Sequence, residues 1–242
     1  MYTFIRDTAY DSMEITNHFI EEELKRIFDA SKGTPFNELL DRGYVFPCAN
    51  LHKKDGLLFV GINPSYDNRN DYRHYGYKDT GEKKIPHFEH FRKAAHETGF
   101  ADNWSCIDLF YFRETKQNEI NELFKKEKGI DFLCEQLKLT QKIIETIRPQ
   151  MIVVSNRMAR WFWGVEAKEE SNVWMGYKFK ELSSNCYSIE GIRDDSILKT
   201  TQTNLTSTKI IFSRSFLYMK KEVRSELIST IKGVAKTSSM AI

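Results

Sequence analysis

The chain has 242 residues, 40% of them hydrophobic and 29% charged, with a formal net charge of +2. Twelve Gly and five Pro exclude a collagenous or low-complexity chain, and the 13% aromatic content argues against disorder, because disordered chains lack large apolar groups to bury. No apolar run approaches the roughly 20 residues that cross a bilayer, and the first residues lack the apolar centre of a signal sequence, so the expectation is a soluble, cytoplasmic protein folded as one domain over residues 1–242.

In chain order, Ile15, Phe19, Ile20, Leu24, Ile27 and Phe28 recur at three- and four-residue steps and predict an amphipathic helix over about 11–32, stopped at Gly33. Leu57-Leu58-Phe59-Val60 is a continuous apolar run ending at Gly61, as expected of a strand covered on both faces. Asn63 to Pro86 shows no periodicity, and a loop of that length is usually functional. Phe88, Phe91, Ala94 and Ala95 predict a helix closing near Gly99, and Cys106 to Phe112 a second strand. Ile130 to Ile147 has helical spacing and stops before Pro149; Met151-Ile152-Val153-Val154 is a third buried strand, followed by an aromatic helix through Arg160, Trp161, Phe162 and Trp163. Trp174–Leu182 and Cys186–Ile192 read as a β-hairpin turning at 183–185, Lys209–Phe212 as a last strand, and Tyr218–Val234 as a closing helix with Val223, Leu227, Ile228 and Ile231 inward.

Strands alternating with helices predict an α/β fold: a three-layer α/β/α sandwich around a mainly parallel four-stranded sheet, with an additional hairpin around 173–192. Such sheets bind ligands beyond the carboxyl ends of their strands. Four segments are expected to converge there, namely 61–66, 112–116, 155–157 and 213–216. Gly61-Ile62-Asn63-Pro64-Ser65 is the most informative of them. Gly61 permits a sharp exit from the strand, Pro64 fixes the next φ angle, and the Asn63 carboxamide both donates and accepts hydrogen bonds at the rim. Asp108, inside a predicted strand, reads as a local cap or pair, with a catalytic role as the alternative. Tyr66, Tyr72, Tyr75 and Tyr77 interleave with Arg69, Arg73 and Lys78, a pattern that suits base stacking and phosphate contact.

Cys48, Cys106, Cys134 and Cys186 are far apart with no C-x-x-C pair, which excludes an ordinary zinc ribbon and predicts reduced thiols in or near the core. His87 and His90 stand three apart at a helix start without an evident third ligand, so no metal and no cofactor is expected. Beyond Thr201 the chain carries seven Lys or Arg against Glu222 and Glu226, a basic end suited to a polyanion.

The segment Leu57-Leu58-Phe59-Val60-Gly61-Ile62-Asn63-Pro64-Ser65 resembles the Gly-x-Asn-Pro-Gly/Ser motif of the uracil-DNA glycosylase superfamily, especially its mismatch-specific and single-strand-selective branches. Ile147-Arg148-Pro149-Gln150-Met151-Ile152-Val153-Val154-Ser155-Asn156 is similar to the family's helix end, Pro, apolar strand and helix start, and Ile107–Thr115 to its middle strand and polar loop. In order and spacing the resemblance covers about residues 45–236. It implies hydrolysis of the N-glycosidic bond of uracil or a related base in DNA, with no cofactor, DNA as partner and a monomeric chain. Asn63 would orient the attacking water. Gly61, Ile62, Pro64, Ser65, Tyr66, Tyr75, Ser155 and Asn156 would form the base pocket, and Arg73, Arg113, Arg157, Ser213, Arg214 and Ser215 would meet the DNA.

Two departures stand out. The place of the family's His-Pro-Ser or Asn-Pro-Ser reads Phe212-Ser213-Arg214-Ser215-Phe216, and the first motif holds no acid. A chain without a carboxylate base is expected to be slow and to favour weakened pairs or good leaving groups. The alternative expectation is a fold relative that has lost base excision and only binds nucleic acid or a nucleotide; a third is a small-molecule hydrolase on the same scaffold.

Overall fold

The structure is a computed structural model, and it describes residues 15–46, 55–66, 86–165 and 173–239, with side chains up to 235. Helix α1 (Asn17–Ala30) begins where the Thr16 hydroxyl accepts a hydrogen bond from the Phe19 N–H at 3.1 Å, as a capping side chain does. The short helix α2 (Asn37–Asp41) follows, then β1 (Leu57–Gly61), α3 (Pro86–Glu97), β2 (Trp104–Asp108), α4 (Asn118–Leu123) and α5 (Gly129–Ile147). The second half holds β3 (Met151–Val154), α6 (Ala159–Trp163), β4 (Tyr177–Ser183), β5 (Cys186–Ile192), β6 (Lys209–Phe212), a 3-10 turn (Phe216–Tyr218) and α7 (Lys221–Ser239). No described helix is long and apolar enough to cross a membrane.

The six strands form one mixed sheet in the order β2-β1-β3-β6-β5-β4. The first four are mutually parallel, with Leu57 opposite both Trp104 and Met151, and Met151 opposite Lys209. The hairpin β4–β5 is not a separate addition, as the sequence suggested. Strand β5 pairs antiparallel with β6, so the hairpin extends the same sheet by two strands.

Both faces of the sheet are packed, which is why its inner strands are apolar without alternation. Leu58, Val60, Ile152, Val154 and Ile210 join a cluster with α1, α5 and α6, while Leu57, Phe59, Met151, Val153 and Ile211 join another with α3 and α7. On the first face an Arg26–Glu135 ion pair at 3.1 Å links α1 to α5. On the second, Phe59 stacks on Phe91 with ring centroids 4.5 Å apart and planes 8° from parallel. Trp163 and Trp174 are fully buried in the core.

Several boundaries differ from the sequence reading. Strand β2 starts and ends earlier than expected, and Leu109–Phe112 continues from it as buried, non-strand chain. Its backbone bonds are shared out: Leu109 and Phe110 N–H donate to Gly61 O and Ile62 O, Val45 N–H donates to Tyr111 O, and from α5 Gln136 Oε1 accepts from Tyr111 N–H at 2.9 Å while Thr140 Oγ1 donates to Leu109 O at 2.8 Å. In α7, Leu227, Ile228 and Ile231 are buried as expected, but Val223 is 44% exposed. Cys106, Cys134 and Cys186 are buried free thiols; Cys48 lies outside the described residues.

Candidate active site

From β1 the chain runs to β2 on one side, and from β3 it runs to β6 on the other, so the strand order reverses between β1 and β3. At such a reversal the connections from the two strands lead to opposite sides, which leaves a crevice at the carboxyl ends of the two strands. A cleft of about 360 Å³ opens at this place, toward the lower end of the roughly 300–1,000 Å³ of small-molecule sites. Gly61, Ile62, Asn63 and Ser65 line it from β1, Asp108 and Glu114 from β2 and the segment after it, and Ser155 and Asn156 from β3. His87 at the start of α3 and Ser215, Leu217 and Tyr218 around the 3-10 turn complete the rim.

The chain after β1 is fastened to the chain after β2. Phe110 N–H donates to Ile62 O at 2.9 Å and Glu114 N–H to Pro64 O at 3.0 Å. Thr115 Oγ1 accepts from Tyr66 N–H and donates to Tyr66 O, at 3.0 and 2.6 Å. Within this frame the Asn63 Nδ2 donates to Glu114 O at 2.6 Å and to Pro64 O at 3.0 Å. Two carbonyl acceptors require the NH₂ end of the carboxamide, so its orientation is set and Oδ1 is left as an acceptor in the cleft. Asn156 is the converse. Its Oδ1 accepts from Met158 N–H at 2.8 Å, which leaves Nδ2 as the free donor among the described residues. Ser155 is buried, and its Oγ accepts from Phe216 N–H at 3.1 Å, tying the 3-10 turn to the end of β3.

Among the described residues, two carboxyl groups line the cleft. Glu114 is fully engaged, with Oε2 paired to Arg42 and Oε1 accepting from Lys116 N–H at 2.7 Å. Asp108 is 7% exposed, and burial alone pushes its carboxyl up to about 7. His87 packs against Phe91 at 4.5 Å, and burial, with neighbouring His90, holds its imidazole down to about 4. It is therefore neutral near pH 7. His90 instead meets Arg224, Nδ1 to Nη1 at 3.1 Å, so the two histidines diverge.

The structure brings Asn63 together with Gly61, Ile62, Ser65, Ser155 and Asn156, and also with Ser215, which the sequence groups with the DNA contacts. It separates others. The Tyr66 ring turns away from the cleft to lie under the Arg42 and Arg113 guanidiniums, at 4.8 and 5.2 Å. Arg113 is 4% exposed and donates to Arg42 O at 3.3 Å, so its charge is buried and not offered to a phosphate at the surface. Tyr75 and Arg73 lie outside the described residues.

Ser213, Arg214 and Arg157 line a second groove, of about 510 Å³, between the hairpin tip and α7. Arg160 joins them, anchored by Asn185 Oδ1 at 2.8 Å and the Tyr187 hydroxyl at 3.2 Å, with its guanidinium 5.5 Å from the Phe212 ring centre. Glu226 of α7 is the acid facing it. The sequence reads Asp108 as a local cap or pair with a catalytic role as the alternative, and His87 only as a candidate metal ligand; it does not single out Tyr218 as a site residue. Asp108 lies inside the strand that the sequence predicts and at the end of β2 as observed, so only the observed strand end puts its carboxyl at a ligand-binding edge. Tyr218, 85% exposed beside the cleft, had been assigned to a helix.

No protein-family model matches the chain, and no curated protein matches it either.

Proposed function

We propose that the chain is a nucleobase-excising hydrolase of the uracil-DNA glycosylase type, a divergent three-layer α/β/α member, acting on uracil or a related aberrant base in DNA. One observation carries the reading: the cleft at the strand-order reversal holds an oriented carboxamide acceptor, Asn63 Oδ1, and a carboxamide donor, Asn156 Nδ2. The imide edge of uracil or thymine presents N–H between two C=O groups, so it needs both. A base inside a duplex has to leave the stack to reach such a cleft, and Tyr218 at the rim, with Leu217, offers an exposed apolar surface to the gap it leaves. The arginine groove supplies cations for the neighbouring phosphates.

Cleavage of the glycosidic bond builds positive charge on the sugar and negative charge on the departing base. Asn63 Oδ1 accepts a hydrogen from the attacking water or from the base imide, and holds either in place because its own NH₂ is tied to Glu114 O and Pro64 O. Neutral His87, Asn156 and the Ser215 hydroxyl are available to donate to the departing base. Uracil-containing single strands and G·U or G·T duplexes should yield abasic, alkali-labile sites, and Asn63→Ala should lower the rate about 100-fold or more through loss of positioning. Intact strands across that panel would overturn the proposal.

The loop Ser213–Phe216, without His or Pro, favours a second reading, a relative that binds nucleic acid without excision. Binding that weakens steeply with salt, with no alkali-labile product, distinguishes it.

A further inference from the structure

We infer that Asp108 is the general base of this reaction, a catalytic residue supplied by the strand next to the Asn63 motif. The inference rests on the reading above.

Asp108 ends β2 directly opposite Gly61, the last residue of β1. Its carboxylate passes so close over Gly61 that a Cβ there would lie 1.9 Å from Oδ1. Glycine at this position leaves room for the acid to reach the cleft that Asn63 also lines. The group is nine-tenths buried, and among the described residues it has neither a hydrogen-bond donor nor a cation beside it. A carboxyl buried without partners costs free energy that a packing role does not return. Glu114, in the same cleft, shows the contrast, since Arg42 and Lys116 N–H satisfy it. The titratable groups facing Asp108 across the cleft are neutral His87 from α3, Glu114 from the chain after β2 and Tyr218 from the 3-10 turn; no Lys or Arg lines the cleft among the described residues.

The step balances without a co-reactant. Asp108 takes one proton of the water; the water oxygen bonds to the anomeric carbon; the C–N bond breaks and its electron pair leaves on the base. The proton then passes from Asp108 or solvent to the departed base, giving free base and an abasic sugar. Asn63 Oδ1 accepts the second hydrogen of the water. The acid missing from the Gly61–Ser65 motif is thus supplied by a neighbouring strand.

The test is single-turnover base release between about pH 5 and about pH 9 for the wild type, Asp108→Asn and Asp108→Ala. The wild-type rate should rise to a plateau with a midpoint near about 7, where burial sets the carboxyl. Asp108→Asn should lose about 100-fold or more and the rise with pH, and formate should restore part of the Asp108→Ala rate. A wild-type profile flat over this range overturns the assignment without any variant. So does an Asp108→Asn protein that keeps both rate and pH rise, while Asn63→Ala still abolishes release; in that case the glycosylase reading stands. No release by the wild type overturns both.

Discussion

Gly61, Asn63 and Asp108 constrain one another through space that only glycine leaves open. Asp108 also carries a stability cost that can be measured apart from activity. Its carboxyl is raised from 3.8 to about 7, so the folded chain keeps a proton that the unfolded chain releases. That contribution to stability is fully present below about pH 3.8 and is lost as pH rises through about 7. Asparagine cannot ionise, so Asp108→Asn should change stability little at pH 4 and raise it at pH 8 by on the order of 4 kcal/mol. Urea midpoints for both proteins at the two pH values check this. His87 runs the other way: its pKa is lowered from 6.5 to about 4, so its share of stability is lost as pH falls through that window. Comparing variant with wild type at each pH cancels it. A group that destabilises the fold yet lies at the cleft is the expected trade of stability for activity.

Among the elements, the 3-10 turn does most to complete the rim. Phe216 sits fully buried against Phe59 and Phe91, at 5.6 and 5.4 Å; its N–H reaches Ser155 Oγ, and its carbonyl accepts from Arg224 Nη2 at 2.9 Å. Phe216→Ala should cost about 3–5 kcal/mol in denaturant unfolding. It should also slow base release, because Ser215, Leu217 and Tyr218 lose their anchor. Element by element, α1, α3, α5 and the strands were legible because their apolar periods run long enough to count. Helices α2 and α4, of five and six residues, were not: too few turns repeat to make a stripe. Strand β2 was displaced because buried Leu109–Phe112 looks like strand by composition, whereas its backbone bonds are divided between the chain after β1, Val45, and Gln136 and Thr140 of α5.

Over the whole molecule, the cleft and the arginine groove both depend on the loop after β6, with Ser215 on one and Ser213 and Arg214 on the other. This division separates base contact from phosphate contact. Replacing Arg157 and Arg214 together with Ala should leave stability within about 0.5 kcal/mol, since both are exposed. It should reduce the salt slope of single-strand binding by about 1.4, at roughly 0.7 per phosphate contact. Fluorescence titrations at several salt concentrations measure it. An unchanged slope would place the strand elsewhere.

What the amino-acid order determined by itself is short-range: continuous apolar runs at Leu57–Val60 and Met151–Val154, the stops at Gly33 and Pro149, and the rigid turn that presents Asn63 at a strand end. Each follows from the period of burial or the φ preference of a few adjacent residues. Only the tertiary structure decided which side chains of the converging loops meet. Strand order brought Asp108 opposite Gly61 and into the cleft that Asn63 lines, buried Arg113 against Arg42 and Tyr66, and carried Arg214 into a groove with Arg157 and Arg160. Those pairings join residues tens of positions apart, and their energies come from burial and desolvation, which no local pattern records.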